Sequence, residues 1–232
     1  MATFDTTINT LSVSNLMIQP LTTDDEQEIQ DFFRLIFAEK RQTFASFQFS
    51  EMCRNVKIWI IIIFIITTVY MLTSNIIISV ILGITLGITI ALESSRLLLR
   101  RLHSKLHNDY SPDVINPFAW SRENNHTFLV GKIEGVLIAA ALFKRGSNGE
   151  RRLGRMFVRK DLRSRGIGKL MVKRCIEMAK DEECKKLQVR TSSLNSKSVK
   201  FYMNSGFKVC GTGVLLEQFP YKWSYVEMEM YL

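Results

Sequence analysis

The chain has 232 residues, of which 47% are hydrophobic, and a net charge of +9. This length allows one domain with a proper core beside a membrane segment, and we expect no secretory signal peptide because residues 1–15 are polar and lack a basic region. The basic residues concentrate beside an apolar segment and a glycine-rich loop, which argues for a membrane and an anionic cofactor and against nucleic acid.

A strand and a helix are the first predicted elements. The run from Leu16 to Gln19 is typical of a strand, and Thr23 to Glu26 is typical of a helix-capping box. The apolar residues that follow recur at helical spacing and predict a helix with one buried face. They are Ile29, Phe32, Phe33, Ile36 and Phe37.

An apolar run without any charged residue extends from Ile58 to Leu92. A straight helix of this length would reach roughly 52 Å, whereas the hydrocarbon core of a bilayer is about 30 Å thick. The polar triplet Thr73-Ser74-Asn75 favours a turn, which leaves arms of Ile58 to Leu72 and Ile76 to Leu92. We therefore predict a transmembrane or re-entrant helical hairpin in a lipid bilayer, because a domain this small could not bury these helices on every face.

Both flanks of the apolar run are basic, and the positive-inside rule places both in the cytosol. The basic residues are Lys40, Arg41, Arg54 and Lys57 before the run and Arg96, Arg100, Arg101 and Lys105 after it. The stretch from Leu97 to Leu106 fits two alternatives equally. It is either a helix along an anionic membrane surface or a further helix of the domain with a solvated basic face.

Three strands are predicted in the second half of the chain before the glycine-rich loop. Phe128 to Val130 and Val136 to Phe143 form a hairpin around Gly131 to Gly135, and Leu153 to Val158 is the next strand.

A glycine-rich basic turn follows, with the sequence Arg163-Ser164-Arg165-Gly166-Ile167-Gly168. A helix is predicted from about Gly166, with apolar residues at helical spacing: Ile167, Leu170, Met171, Cys175 and Met178. The first N–H groups of such a helix carry its positive dipole end, and glycine permits close approach. Together with nearby Lys169, the turn predicts a pyrophosphate site. The dehydrogenase fingerprint and the nucleotide P-loop fit poorly.

A second motif lies after a short alternating strand of Leu187, Val189 and Thr191. Residues 195–207 read Asn-Ser-Lys-Ser-Val-Lys-Phe-Tyr-Met-Asn-Ser-Gly-Phe. The last predicted strand runs from Tyr225 to Leu232, where apolar and polar residues alternate.

The two motifs resemble the signatures of the GNAT acetyltransferases, Arg-x-x-Gly-x-Gly and Asn-x-x-Ala/Ser-x-x-Phe/Leu-Tyr-x-x-x-Gly-Phe. The resemblance implies the α/β GNAT acyltransferase fold, a mixed, mostly antiparallel sheet flanked by helices. The hairpin inserted after the first helix is similar to the camello-type membrane-bound subfamily, which includes cysteine S-conjugate, aspartate and proposed protein-lysine N-acetyltransferases. We therefore divide the chain into residues 1–57 with the first strand and helix, 58–92 with the hairpin, and 93–232 with the acetyl-CoA site.

The resemblance also implies roles for individual residues. Backbone groups of Met156, Phe157 and Val158 would hold the pantetheine arm of acetyl-CoA, the co-substrate, where the fourth and fifth strands splay apart. Tyr202 would lie near the CoA sulfur and donate its hydroxyl proton; the alternative is a packed tyrosine. Asn195 would contact the cofactor, cap its helix, or do both. The pyrophosphate would lie against Arg163, Ser164, Arg165, Gly166, Ile167, Gly168 and Lys169.

The general base stays unassigned. The fourth strand lacks the acid that many members of the family carry there; Glu150 just before it and His126 before the second strand are candidates that would act through a water. Arg152 and Arg155 are candidates to hold a substrate carboxylate, with solvated charges as the alternative.

The predicted function is a membrane-anchored N-acetyltransferase that moves acetyl from acetyl-CoA to a primary amine by direct attack in a ternary complex. For both halves of the domain to assemble, the hairpin must cross the bilayer an even number of times or not fully. We expect the endoplasmic reticulum membrane, with the catalytic domain facing the cytosol. A protein-lysine acceptor, an inactive scaffold or acyl-CoA sensor, and a homo-oligomer remain open. Metal is not expected, because Cys53, Cys175, Cys184 and Cys210 lack metal-ligand spacing.

Overall fold

In the part of the chain that the structure describes, seven strands form one sheet in the order β1-β2-β3-β4-β5-β7-β6. The computed structural model describes residues 13–39, 56–146, 149–218 and 221–232. The pairs β1–β2, β2–β3, β3–β4 and β5–β7 are antiparallel, and β4–β5 is parallel, so the predicted mixed, mostly antiparallel sheet is confirmed. The strands are β1 Met17–Pro20, β2 Thr127–Ile133, β3 Val136–Arg145, β4 Glu150–Val158, β5 Lys186–Ser192, β6 Lys208–Gln218 and β7 Tyr221–Tyr231.

The described residues also form helices, which lie between the strands in sequence. They are α1 26–39, α2 Val56–Thr73, α3 Ile76–Ile115, α4 Pro117–Glu123, α5 Ile167–Asp181 and α6 Ser196–Asn204. The chain forms two compact units, one of Met1–Ala38, Ser111–Leu215 and Trp223–Leu232, the other of Glu39–Tyr110 and Leu216–Lys222. Helix α3 continues well past Leu92, the boundary chosen from the sequence, to Ile115.

Two apolar clusters build the core of the first unit. One packs α1 against β2 and β3, and the predicted stripe on α1 supplies Ile29, Phe32, Phe33 and Ile36. The other packs α5 and α6 against the opposite face of the sheet. On α5 the buried stripe is rotated from the predicted one: Val172 and Ala179 are buried, whereas Leu170 is 39% exposed.

Several boundaries differ from the sequence prediction. The capping box begins one residue earlier than Thr23, because the Asp25 carboxylate accepts the Thr22 N–H at 3.0 Å and Thr22 Oγ1 at 2.9 Å. The β2–β3 turn is only Glu134-Gly135, both with positive φ, so β2 includes Gly131. Strand β6 and helix α4 had no counterpart in the prediction.

The apolar run folds as two helices that break at Ser74 and Asn75, as the polar triplet predicted. The helices meet along a seam of small residues: a Cβ at Gly83 would overlap Ile66, and one at Gly87 would lie 3.0 Å from Ile62 Cδ1. Ser79, one turn before Gly83, is fully buried. Within the described ranges, no helix is both long enough and apolar enough to cross a membrane.

The structure describes only part of the basic flanks of the apolar run. Lys40, Arg41, Arg54 and Cys53 fall outside the described residues. The stretch from Leu97 to Leu106 is helical, as part of α3, but its side chains are not described.

Candidate functional site

Strands β4 and β5 form a fork. They pair only from Glu150 opposite Lys186 to Leu153 opposite Val189. Beyond that point β4 continues along β3, whereas β5 continues along β7. Within the described pairings, the β4–β5 register therefore ends at Leu153, and the two strands separate beside Met156–Val158, which is where an extended ligand would lie.

A β-bulge in β4 lies at the base of this fork. Ala140 pairs with Phe157 and Leu142 with Gly154, so Arg155 and Met156 both oppose Ala141. Arg155 has φ +47°, in the left-handed region. A bulge bends its strand and increases the local twist, which is the physical cause of the divergence of β4 from β5.

The glycine-rich turn leads from the end of β4 into α5. Arg163 Nε donates to the Val158 carbonyl at 2.9 Å, which ties the turn to the strand. Gly166 is the N-cap of α5 at φ +86°, and a Cβ there would meet nothing within 4 Å. The space beside Gly166 at the start of α5 is thus open, as an anion site at a helix N-terminus requires.

The second glycine of the turn has a different task. A Cβ on Gly168 would come within 3.3 Å of Phe201 Cζ and 3.9 Å of Val158 Cγ2. Gly168 therefore permits close packing of α5 against α6 and β4. Arg163, Arg165 and Lys169 are exposed around the turn, where they add positive charge.

The fork and the turn together fit an acyl-CoA. A pantetheine arm needs a gap beside a strand, which the separation of β4 from β5 provides, and a pyrophosphate needs room for close approach to a helix N-terminus, which Gly166 provides. Within the described part of the chain, no group of His, Cys, Asp and Glu residues could hold a metal ion.

Helix α6 carries the two residues singled out from the second motif. Asn195 is the N-cap, and its Oδ1 accepts the Ser198 N–H at 3.1 Å. Tyr202 is only 6% exposed and packs its ring against Phe201 and Phe207. Burial raises the pKa of the Tyr202 hydroxyl above its ordinary value, so the group stays protonated near neutral pH. Its role toward the CoA sulfur stays a prediction.

The two arginines proposed for a substrate carboxylate have different surroundings. Arg152 is partly exposed; its Nη2 lies 3.1 Å from Gln188 Oε1 and 3.4 Å from Glu227 Oε1. Arg155 is buried and forms a bidentate ion pair with Asp113. A carboxylate of the chain itself thus holds the Arg155 guanidinium, while the substrate role of both arginines stays a prediction.

The two candidate bases are engaged elsewhere. Glu150 Oε1 pairs with Lys186 Nζ at 3.0 Å. His126 Nδ1 accepts the Arg145 N–H at 3.2 Å, which leaves the proton of the neutral ring on Nε2. Burial lowers the pKa of His126 and favours that neutral form. The general base stays unassigned.

A polar patch beside the fork was missed by sequence reasoning. Arg190 Nη2 donates to Glu227 Oε1 at 2.8 Å, and the Arg190 guanidinium lies 4.3 Å from the Tyr225 ring centre. Lys144 stands on β3 opposite Arg152. Because side chains alternate between the two faces of a sheet, these residues lie on one face. The sequence pattern of the predicted β7 already placed Tyr225 and Glu227 on a common face.

A family model matches the part of the chain that carries the site. The model of the Acetyltransferase (GNAT) family matches residues 93–207, which include the fork, the glycine turn and the α6 motif. The chain carries a GNAT acetyltransferase domain. This match supports the GNAT domain and the fold that the two motifs predicted, without deciding the subfamily.

Several solved structures of acetyltransferases are similar to the GNAT domain at low sequence identity. A candidate streptothricin acetyltransferase of Bacillus anthracis str. Ames, in complex with acetyl coenzyme A, is 18% identical over 46% of this chain and 62% of that chain, with a TM-score of 0.44. The chain thus spans less than two thirds of that protein. A ribosomal-protein-alanine N-acetyltransferase of Brucella melitensis is 22% identical over 49% and 74% (TM-score 0.44). An N-acetyltransferase of Staphylococcus aureus Mu50 is 21% identical over 49% and 72% (TM-score 0.45). A search of curated proteins finds no match.

Proposed function

We propose that the chain is a membrane-anchored N-acetyltransferase that moves acetyl from acetyl-CoA to a primary amine by direct attack in a ternary complex. The observation that carries the proposal is the β4–β5 fork, whose gap ends at the glycine turn and the N-terminus of α5. Acetyl-CoA supplies the acyl group as a thioester. The N–H groups of α5 bind its pyrophosphate, and the edge of Met156–Val158 orients its arm.

Acetyl transfer releases a thiolate, which must be stabilised or protonated. We assign this task to the hydroxyl of Tyr202, on the α6 helix that packs against α5 through Phe201 and Gly168. Because burial raises its pKa, the hydroxyl stabilises the thiolate mainly as a hydrogen-bond donor, and complete proton transfer is disfavoured.

We place the amine acceptor on the sheet face that carries Lys144, Arg152 and Arg190. Arg152 and Arg190 share the single carboxylate of Glu227, so the patch favours an acceptor that carries an anionic group. Arg152 is the arginine we assign to that group, because it is partly exposed whereas Arg155 is buried in its pair with Asp113.

We also propose that α2 and α3 embed in a lipid bilayer, as in the camello-type subfamily. Outside the seam, both helices expose large apolar side chains: Trp59, Ile60, Ile63, Phe64, Met71, Leu72, Ile76, Ile77, Ile81, Ile84 and Ile88. The hydroxyls of Thr67, Thr68, Ser79, Thr85 and Thr89 each donate to the backbone carbonyl four residues earlier, which meets the demand of lipid for internally satisfied polar groups. A small-residue seam such as Ser79-Gly83-Gly87 is frequent between membrane helices.

The expected location is the endoplasmic reticulum membrane with the catalytic domain in the cytosol. Strand β1, before the hairpin, pairs with β2, after it, so one domain receives both ends of the insertion. The basic flanks on both sides of the hairpin favour the cytosol.

The test is acetyl transfer by the full chain purified in detergent. Acetyl-CoA and a panel of amines, including amino acids and lysine peptides, are supplied, and free CoA is measured against a reaction without amine. We expect amine-dependent release of CoA. Release with lysine peptides alone would assign a protein acceptor. Binding of acetyl-CoA without release for any amine would favour an acyl-CoA sensor and contradict the enzymatic proposal.

A further inference from the structure

One buried ion pair lies at the bulge of β4. Arg155 Nε donates to Asp113 Oδ2 at 2.9 Å, and Arg155 Nη2 donates to Asp113 Oδ1 at 3.0 Å. The two side chains are 7% and 2% exposed. Phe37, whose ring centre lies 5.7 Å from the guanidinium carbon, covers the pair from α1. A planar two-bond contact between buried groups fixes both position and orientation.

Arg155 is also in a backbone conformation that arginine rarely adopts. Its φ of +47° is left-handed, and such a conformation persists only where the surrounding structure holds it. Glycine would adopt it without strain. The chain instead has Gly154 just before the bulge and an arginine with a buried partner in it, so a side-chain contact holds the backbone here.

The ion pair holds the part of β4 that diverges from β5. Arg155 and Met156 are the two bulge residues, and Met156–Val158 form the part of β4 that lies beyond its described pairing with β5. Any rotation at Arg155 changes the direction of the N–H and C=O groups that follow it. The anchor, Asp113, comes from the last turn of α3, so the ion pair ties the bulge to an element outside the sheet.

We propose that Asp113 is a positioning residue that acts through Arg155 to hold the β4 bulge, and thereby aims the backbone of Met156–Val158 at the pantetheine arm and thioester. The inference rests on the proposed function, because it assigns the fork to acetyl-CoA. It predicts that loss of the pair impairs the pantetheine part of the site and leaves the pyrophosphate part intact.

The test compares two ligands on the full chain in detergent. CoA contacts both parts of the site, whereas adenosine 3′,5′-bisphosphate lacks the pantetheine arm together with the phosphate that carries it. The ratio of their dissociation constants, measured by calorimetry, reports the joint contribution of that phosphate and the arm. Because the variants leave α5 and the glycine turn unchanged, a change in this ratio between variants reports the arm. Failure of the wild-type chain to bind either ligand would overturn the proposed function, and this inference with it; failure of the inference alone shows only in the variants.

The main variant is Asp113→Leu with Arg155→Met, which replaces the pair by apolar side chains and leaves no unpaired buried charge. We expect binding of the bisphosphate within about twofold of the wild type. We also expect the CoA advantage to be lost and kcat for acetyl transfer to fall about 100-fold, as for a misplaced reactive group. Asp25→Asn, which breaks another partly buried pair, with Lys132 on β2, is the control. It should keep the CoA advantage and the wild-type kcat.

An unchanged CoA advantage and an unchanged kcat in the double variant would overturn the inference. If the double variant loses the bisphosphate as well, the pair is needed for folding, and Asp113→Glu decides. This variant keeps the charge and shifts the carboxylate by one methylene. We expect it to bind the bisphosphate normally with a reduced kcat, and a wild-type kcat would again overturn the inference.

Discussion

At the scale of single residues, the surroundings of the two glycines in the turn give them different roles. Gly166 faces open space at a positive φ, whereas Gly168 faces the Phe201 ring. The sequence treats the two glycines as one motif, but their substitution would act by different mechanisms. The first would obstruct the anion site, and the second would separate α5 from α6.

Tyr202→Phe tests the assigned donor. The variant removes one hydroxyl and keeps the ring contacts with Phe201 and Phe207. We expect kcat to fall by about tenfold to a thousandfold with little change in acetyl-CoA affinity. Tyr231→Phe, at a tyrosine that is 73% exposed, is the matched control. Equal turnover in wild type and Tyr202→Phe would make Tyr202 a packing residue.

At the scale of elements, the sequence predicts periodic segments well and irregular ones poorly. The α1 stripe, the helix after Gly166 and the alternation in β7 follow from spacing, and the break at Ser74-Asn75 follows from its polar residues; the structure confirms all of these elements. Strand β6 was missed because Gly211 and Gly213 interrupt its pattern. The bulge was missed although Gly154 in a strand interior is a recognised sign of one. The Asp113 contact was not predictable, since it joins residues far apart in sequence.

Asp25→Asn tests the turn that starts α1. Burial by itself would raise the pKa of the Asp25 carboxyl, but hydrogen bonds from Lys132 and Thr22 outweigh it and hold the pKa below the ordinary 3.8. A lowered pKa stabilises the fold above pH 3.8 and loses this contribution as pH falls toward the lowered value. We expect a cost of about 2 kcal/mol in unfolding free energy at neutral pH.

The pH dependence of the loss in unfolding free energy tests the role of the Asp25 charge more directly. The difference between wild type and Asp25→Asn, from denaturant unfolding in detergent, should shrink as pH falls below 3.8. The exposed neighbour Asp24→Asn should cost less than about 0.5 kcal/mol at any pH. A difference for Asp25→Asn that stays constant down to pH 2 would refute the charge-based account.

Gly83→Leu tests the seam between α2 and α3. A leucine there would overlap Ile66, so we expect the variant to be destabilised by about 1–3 kcal/mol, seen as a lower midpoint of thermal unfolding in detergent. Ile84→Leu, at the neighbouring side chain that points outward, should leave the midpoint unchanged. Equal midpoints for both variants would mean that the helices do not pack along this seam.

At the scale of the whole molecule, the chain combines an acetyltransferase domain with an apolar hairpin inserted between α1 and α4. Strands from before and after the insertion share one sheet. If α2 and α3 enter a bilayer, the hairpin must return to the side from which it came. The side then decides which acceptors the enzyme meets.

The sequon Asn125-His126-Thr127 reports that side. Asn125 is exposed in the turn before β2, so a lumenal domain would present it to glycosylation. We expect the chain expressed in microsomes to show no shift in mobility after endoglycosidase treatment. A lumenal fusion protein with an engineered sequon is the control, and it shows that the microsomes glycosylate and that the endoglycosidase removes the glycan. A shift at Asn125 would place the catalytic domain in the lumen.

The most direct test of the central claim is calorimetric binding of acetyl-CoA to the full chain, to Gly166→Leu and to Gly135→Leu. Both glycines have a positive φ, +86° and +80°, and at both a Cβ would meet nothing within 4 Å, so the backbone strain of the two variants is matched. Only Gly166 adjoins the fork. The account predicts binding to wild type and Gly135→Leu, and an affinity lower by about 100-fold or more for Gly166→Leu, equivalent to one or two lost charge-assisted hydrogen bonds. Equal affinities in the two variants would contradict the assignment of acetyl-CoA to this turn.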